Sequence, residues 1–125
     1  MRRLAAVLTL LFLAWGCDSG PNGPGNLTGE VRSKGPDLGG AVLQVVGRGI
    51  EGFSGVGGSR VFWEPMGSDD SYRVVVITEA PGDLHFQVSV EDLGERPPSA
   101  TIVSLVDGQN TNLPATNDYQ VRFTH

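Results

Sequence analysis

The sequence predicts an all-β fold, a single antiparallel β-sandwich of about seven strands that follows an export signal and a flexible tether. Three observations support this fold class. Apolar and polar residues alternate in short runs, as in strands buried on one face. Clusters of Gly, Pro, Asn and Asp separate these runs at fairly even intervals. The 125-residue chain also contains 18 Gly and 8 Pro, a composition that disfavours long helices.

The clearest strand signals lie in the middle of the chain. Residues 83–90 alternate apolar with polar side chains, which predicts a half-buried strand. Residues 71–79 include a run of four β-branched apolar residues, a pattern typical of a strand covered on both faces. Pro81 and Gly82 suit the central positions of a type II turn, so we expect a hairpin between these two strands. The other predicted strands are residues 27–34, 41–47, 60–64, 100–106 and 118–124.

The chain opens with a leader that has the layout of a cleaved export signal. Arg2 and Arg3 precede the apolar run 4–15, which is shorter than the ~20 residues that a membrane-spanning helix requires. We expect residues 1–16 to be a helical signal peptide whose removal leaves Cys17, the only cysteine, at the start of the mature chain. Residues 17–26 then form the attachment site and a Gly/Pro-rich tether, and residues 27–125 form the sandwich domain.

The residues at the cut, Leu13-Ala14-Trp15-Gly16-Cys17, resemble the signal of bacterial lipoproteins, in which a short apolar box ends at an invariant cysteine. Gly16 and Cys17 match that pattern, whereas Ala14 and Trp15 depart from it. The resemblance implies lipidation of Cys17, with two or three acyl chains that hold the protein in a membrane of the bacterial cell envelope, facing the periplasm or the cell surface. The alternative is an ordinary A-x-A-like cleavage site, which would release a soluble protein.

The charge balance limits the partners of the mature chain. The whole sequence has 9 Lys and Arg against 14 Asp and Glu, and loss of Arg2 and Arg3 leaves a net charge of about −7. An acidic surface argues against nucleic acid and against electrostatic docking on anionic lipid. We therefore expect membrane attachment to depend on the acyl chains of Cys17.

Several motifs are explained more simply by local backbone structure than by a nucleotide-binding or metal-binding site. The Gly-x-Gly-x-x-Gly pattern at 47–52 is followed by residues that cannot form the helix of a dinucleotide site, so we expect a turn or bulge there. Loop 107–118 is rich in side-chain oxygens, for which Asx turns are favoured over a calcium site. We expect no cofactor and no metal site, because His85 and His125 are the only histidines and the cysteine belongs to the anchor.

The candidate binding surface lies on the strand at 60–64. Alternation places Val61 and Trp63 on one face and Arg60, Phe62 and Glu64 on the other, so one aromatic side chain must point away from the core. Because Phe62 lies between two charged residues, we expect it to be exposed and Trp63 to be buried beside Val61. The alternative is that a second sheet or a loop covers Phe62.

In strand order, the region 27–125 resembles cohesin-type and carbohydrate-binding-type sandwiches. The resemblance rests on an apolar strand bounded by Gly40 and Gly47 and on a late strand, 100–106, that leads through a Gly/Asn loop into the closing strand. It implies an interaction domain and transfers no site residue, since one fold supports many functions. We therefore expect a non-catalytic binding module for a protein or glycan partner.

Two other functions remain alternatives. A small envelope hydrolase would require a pocket in which two or more of His85, Glu91, Asp92 and Glu95 converge. A purely structural or spacer role would leave the domain without an exposed apolar patch.

Overall fold

The computed structural model describes residues 22–67, 70–116 and 118–125, which fold into two antiparallel sheets packed face to face. The predicted fold class, an antiparallel β-sandwich, is therefore confirmed. The expected signal peptide and Cys17 lie outside the described residues. The strands of the described chain are β1 (Gly25–Ser33), β2 (Leu38–Val46), β3 (Ile50–Gly55), β4 (Ser59–Pro65), β5 (Ser71–Gly82), β6 (Leu84–Val90), β7 (Ser99–Asp107), β8 (Asn112–Leu113) and β9 (Tyr119–Thr124).

The two sheets have the strand orders β3-β6-β1-β9 and β4-β5-β2-β7-β8. Each of the seven strands predicted from the sequence corresponds to an observed strand, and β3 and the two-residue β8 are additional. Strand β1 begins at Gly25, so the end of the expected tether pairs with β6. Below, the inner face of a sheet is the side that packs against the other sheet, and the outer face is the opposite side.

The core lies between the two inner faces, where alternate residues of both sheets interdigitate. Phe86 of β6 is the largest side chain with no solvent exposure. Its ring centroid lies 5.9 Å from that of Phe123 and 6.5 Å from that of Phe53. Gly29 of β1 faces the same ring, and a Cβ at that position would approach it to 2.3 Å. A glycine is therefore required where the Phe86 ring crosses the neighbouring strand.

The predicted hairpin between β5 and β6 is wrong. Strand β5 pairs with β2 and β4, whereas β6 pairs with β1 and β3, so the chain crosses from one sheet to the other at Pro81-Gly82. Gly82 does not adopt the positive φ that a type II turn requires, and it ends β5. The physical reason is burial, because the apolar faces of β5 and β6 pack against each other across the sandwich and cannot do so within one sheet.

The expectation that β5 is covered on both faces is also wrong. Val74 and Val76 are buried on its inner face, whereas on its outer face Val75 is half-buried and Ile77 is exposed. The run of β-branched residues therefore supplies the core and an exposed apolar surface at the same time.

The turn or bulge expected at the Gly-x-Gly-x-x-Gly pattern is confirmed. Gly49 has a φ of 67°, in the left-handed region, and lies in the turn between β2 and β3. The pairing of β3 with β6 then shifts between Ile50 and Gly52, which makes Glu51 the extra residue of a β-bulge. The chain continues as a strand and not as the helix that a dinucleotide site needs.

Candidate functional site

The outer face of the five-stranded sheet carries a continuous group of apolar side chains. Cross-strand pairing places Phe62 of β4 opposite Val75 of β5, and Val75 opposite Val42 of β2. Directly opposed residues lie on the same face of a sheet, so these three side chains form a row across three strands. Ile77 lies two positions along β5 on the same face.

A bulge in β7 extends this row. Val42 pairs with Ser104 and Leu43 pairs with Ile102, which leaves Val103 as an extra residue between the two pairs. Val103 is exposed. We call the resulting surface the apolar outer face; it consists of Val42, Phe62, Val75, Ile77 and Val103.

The three residues proposed from the sequence, Arg60, Phe62 and Glu64, all lie on the outer side of β4. Phe62 belongs to the apolar outer face, and the two charged residues flank it. Phe62 is 58% exposed, as expected. Arg60 lies opposite Ile77, and its guanidinium is 3.7 Å from Glu79, with both side chains largely exposed. Such a pair contributes little to stability, so both charges remain free to meet a partner.

The expectation that Trp63 is buried is wrong, because 40% of its surface remains exposed. It lies on the inner side of β4, but β4 is the outermost strand and the sandwich is open beside it. One side of the indole packs against Phe53 and Tyr72, with ring centroids 5.5 Å apart for Phe53–Trp63 and 5.9 Å apart for Trp63–Tyr72. The edge strand β4 therefore presents one exposed aromatic side chain on each of its two faces.

The outer face of the four-stranded sheet is polar. Glu30 of β1 forms an ion pair with Arg32, lies 3.2 Å from the imidazole Nε2 of His85, and stands opposite Arg122 of β9. Partial burial raises the pKa of the Glu30 carboxyl, but the hydrogen bonds and charges of Arg32 and His85 outweigh it and hold this pKa below its usual value. The ionised form of the Glu30 carboxyl is thus favoured by its neighbours Arg32 and His85.

His85 does not converge with the three carboxylates named for the hydrolase alternative. His85 lies near the start of β6, and Glu91, Asp92 and Glu95 follow its end, about 20 Å further along a strand of this length. In the described chain, no group of three or more His, Cys, Asp or Glu side chains could hold a metal ion.

Asp92 has a structural role at this end of the molecule. Its Oδ1 accepts hydrogen bonds from the backbone N–H of Gly23 at 2.8 Å and of Gly94 at 2.9 Å. The bonds from Gly94 and Gly23 lower the pKa of the Asp92 carboxyl, because they favour its charged form. The N–H of Leu93 also donates to the carbonyl of Gly23, at 2.8 Å. The segment that enters the domain is therefore fixed beside the β6–β7 loop.

The oxygen-rich loop after β7 contains an Asx turn, the structure that the sequence favoured over a calcium site. Asp107 Oδ1 accepts hydrogen bonds from the N–H groups of Gln109 and Thr111, both at 2.9 Å. Asn110 has a φ of 63°, the left-handed conformation that Asn tolerates at turns.

Sequence reasoning found Phe62, the β4 member of the apolar outer face, but missed the other four members. The signal for Val75 and Ile77 was present, because four successive β-branched residues cannot all point to one face of a strand. No local signal places Val42 and Val103 beside Phe62, since their proximity comes from strand pairing.

Comparison with known proteins assigns this chain to no family. Among the described residues there is no helix of the length and apolarity that crossing a membrane requires. No protein-family model matches the sequence, and comparisons with curated proteins and with solved structures gave no significant match.

Proposed function

We propose that this protein is a lipid-anchored module of the bacterial cell envelope that binds another protein through the apolar outer face of its five-stranded sheet. The observation that carries the proposal is the row Phe62–Val75–Val42 with Val103 beside it. Apolar side chains that adjoin one another on the surface are a feature of interaction sites on soluble domains.

The composition of the surface favours a protein over a glycan. Four of its five members are aliphatic and β-branched, and Phe62 is the only aromatic among them. A sugar-binding sandwich usually presents several flat aromatic rings in a row. Branched aliphatic side chains instead offer apolar contacts without flat rings, and the charges of Arg60 and Glu64 at the rim suit the polar border of a protein interface.

Attachment to the envelope is supported by the resemblance of the leader to lipoprotein signals and by the place where the chain enters the domain. Gly23 is bound to Asp92, so only residues 18–22 separate Cys17 from the fixed part of the chain. Five residues span at most about 18 Å. An acylated Cys17 would therefore hold the domain close to the membrane surface, with the β6–β7 loop nearest to it.

Site-specific photo-crosslinking in the expressing bacterium tests the binding surface. A photoreactive phenylalanine derivative replaces Val75 in one variant and Val103 in another, and Gln87 in the control. Gln87 is a matched position because it is half-buried on the outer face of the other sheet, and β6, like β5, is second from an edge. We expect protein adducts from Val75 and Val103 and none from Gln87.

The outcomes separate the alternatives. Equal adducts at all three positions, or none, would reject a protein-binding role for this face. Loss of crosslinks after enzymatic removal of envelope glycans would indicate a glycan partner instead, and a surface without any adduct would point to a spacer.

The anchor is tested separately, by intact mass and detergent phase partitioning of the wild type and of Cys17→Ser. We expect a mature wild-type chain that begins at Cys17, carries acyl mass and enters the detergent phase, and we expect the variant to stay in the aqueous phase. An unmodified wild-type chain in the aqueous phase would mean that the protein is released.

A further inference from the structure

Strand β4 forms one edge of the five-stranded sheet, and within the described residues its second edge has no strand beside it. Both exposed aromatic side chains of β4 flank this edge, Phe62 on the outer face and Trp63 on the inner face. A partner that lies only on the outer face would leave Trp63 exposed. A strand added at the edge of β4 would cover both.

The hydrogen bonds of the neighbouring turns show which backbone groups face the free edge. The N–H of Met66 donates to the carbonyl of Ser71 at 2.9 Å, just beyond the last β4–β5 pair. Hydrogen-bonded pairs alternate along an antiparallel ladder, so Arg60, Phe62 and Glu64 bond to β5. The backbone N–H and C=O groups of Val61 and Trp63 consequently point away from the sheet.

The opposite side of β5 gives the same result. The N–H of Gly47 donates to the carbonyl of Asp70 at 2.9 Å, which continues the β2–β5 ladder. By alternation, Tyr72, Val74 and Val76 bond to β2, and Arg73, Val75 and Ile77 are left to bond to β4. Pro65, which has no N–H, lies at an outward-facing position of β4, where a proline removes no bond from the sheet.

We propose that a second copy of this chain occupies this edge, with the two β4 strands antiparallel about a two-fold axis at Phe62. In this register Val61 of one copy faces Trp63 of the other, and each pair exchanges two backbone hydrogen bonds. Arg60 then lies opposite Glu64 of the second copy, and the symmetry creates this ion pair twice. Antiparallel pairing reverses one strand relative to the other. The outward row Arg60, Phe62 and Glu64 of one copy therefore meets Glu64, Phe62 and Arg60 of the other, so that opposite charges face each other.

Other registers lose this complementarity. Because outward-facing groups alternate, the pairing can shift only in steps of two residues. One such shift places Arg60 opposite Phe62 of the second copy, and the opposite shift does the same to Glu64. Either shift also shortens the paired stretch from the seven residues of β4 to five. The proposed register alone combines full-length pairing with opposed charges.

The pairing accounts for both exposed aromatics. Phe62 faces its counterpart in a non-hydrogen-bonded pair, where side chains approach most closely, and Trp63 packs beside Val61 of the second copy. The two five-stranded sheets become one sheet of ten strands, and their apolar outer faces become adjacent. A seven-residue strand is about 23 Å long, which gives a small interface, so we expect a dissociation constant on the order of 1–100 μM.

Cysteine crosslinking of the full chain in the expressing bacterium tests the register. In a non-hydrogen-bonded pair the two Cα atoms lie about 4.5 Å apart, within the range for a disulfide, so Phe62→Cys should form a covalent dimer under mild oxidation. Arg60→Cys and Glu64→Cys should each remain monomeric alone, because identical positions are about 14 Å apart along the strands. The two variants should crosslink when they are expressed together.

Two controls set the background. The parent chain reports any dimer formed through Cys17, and Gln87→Cys reports random collision of a position on the other sheet. The proposal is overturned if Phe62→Cys crosslinks no more than Gln87→Cys. It is also overturned if Arg60→Cys alone crosslinks as well as the mixed pair, since that result would mean a parallel or shifted arrangement.

Charge reversal gives an independent measurement that does not use a new thiol. Arg60→Glu should raise the dissociation constant about tenfold or more by sedimentation velocity, because two ion pairs become two repulsive pairs. The double variant Arg60→Glu/Glu64→Arg should restore the parent value. If the double variant stays as weak as the single one, Arg60 does not meet Glu64 across the two-fold axis.

The pairing of β4 with a second copy and the binding of a protein to the apolar outer face are tested by different residues. Val103 lies three strands away from β4, about 14 Å from the dimer edge, so its photo-crosslinks report the partner surface and not the pairing of β4.

Discussion

The two outer faces of this sandwich have the same architecture and opposite side-chain character. Each is the solvent side of an antiparallel sheet over the same core. On the four-stranded sheet the outward positions of β1 and β6 carry polar side chains, and most inward positions carry apolar side chains or glycine. Glu30, Arg32 and His85 form a hydrogen-bonded cluster on the outside. On the five-stranded sheet Val42, Phe62 and Val75 take the equivalent outward positions.

The comparison separates residues that the fold needs from residues that it does not. A sheet of this sandwich can pair and pack over the core with a polar outer face, as the four-stranded sheet does within the same molecule. The apolar outer face adds nothing to the core, because its side chains point away from it. The fold does not require these residues, and the proposed binding role accounts for them.

The largest expected effect on stability comes from a comparison of two phenylalanines, one in the core and one on the apolar outer face. Phe86→Ala should lower the free energy of unfolding by about 3–5 kcal/mol, because the ring has no exposed surface and its loss leaves a cavity. Phe62→Ala should change it by about 1 kcal/mol or less, because more than half of that side chain is already in water. Urea unfolding at low protein concentration, where the proposed dimer would be dissociated, measures both values. A similar loss for the two variants would place the apolar outer face in the folding core.

The alternation of apolar and polar residues was sufficient to predict which face of a single strand is buried and which is exposed. The alternation at 83–90 assigned Phe86 to the core and His85 to the solvent, and the structure confirms both. The same parity argument placed Phe62 on the outside of β4. It failed for Trp63, because exposure at an edge strand depends on whether another strand is present beside it.

Strand pairing was beyond the reach of the sequence. Pro81-Gly82 is compatible with a tight hairpin and with a crossing between sheets, and the run 74–77 has no alternation that would select one. Strand β3 gave no strand signal, because glycines at positions 49, 52 and 55 interrupt its pattern. The apolar outer face depends on pairs between β4, β5, β2 and β7, so only its β4 and β5 parts could be anticipated.

A smaller effect is expected from two glycines that face opposite sides. Gly29→Ala should destabilise the protein by about 1–3 kcal/mol, because the new Cβ would lie 2.3 Å from the buried Phe86 ring. Gly40→Ala should cost less, since its Cβ would meet a methyl group of Val106 and the carbonyl of Val76 at 3.3 Å. Thermal unfolding of the two variants side by side checks the order. If Gly40→Ala were the more damaging change, Val106 and the Val76 carbonyl would be less able to make room for a new Cβ than the Phe86 ring is.

The smallest expected effect concerns the charged cluster of the polar face and its dependence on pH. The lowered pKa of Glu30 means that the folded protein binds this proton less tightly than the unfolded chain does. Its contribution to stability is therefore complete above the ordinary pKa of a glutamate and is lost as the pH falls through the lowered, folded-state value. Glu30→Gln should reduce stability at neutral pH by less than about 1 kcal/mol, as is usual for ion pairs that water reaches.

Below the folded-state pKa of Glu30, the variant and the parent should converge in stability, because the carboxyl is then neutral in both states of the parent. Arg32→Gln should remove part of the same pH dependence, since it takes away the side chain that bonds to the Glu30 carboxylate. Thermal unfolding between about pH 3 and 7 measures the difference between parent and variants across the titration of a glutamate. Parallel curves for parent and Glu30→Gln over this range would show that the cluster does not stabilise the folded state. The side chains of the polar face would then contribute no more to the free energy of unfolding than those of the apolar outer face. The two faces would differ only in how well water solvates them.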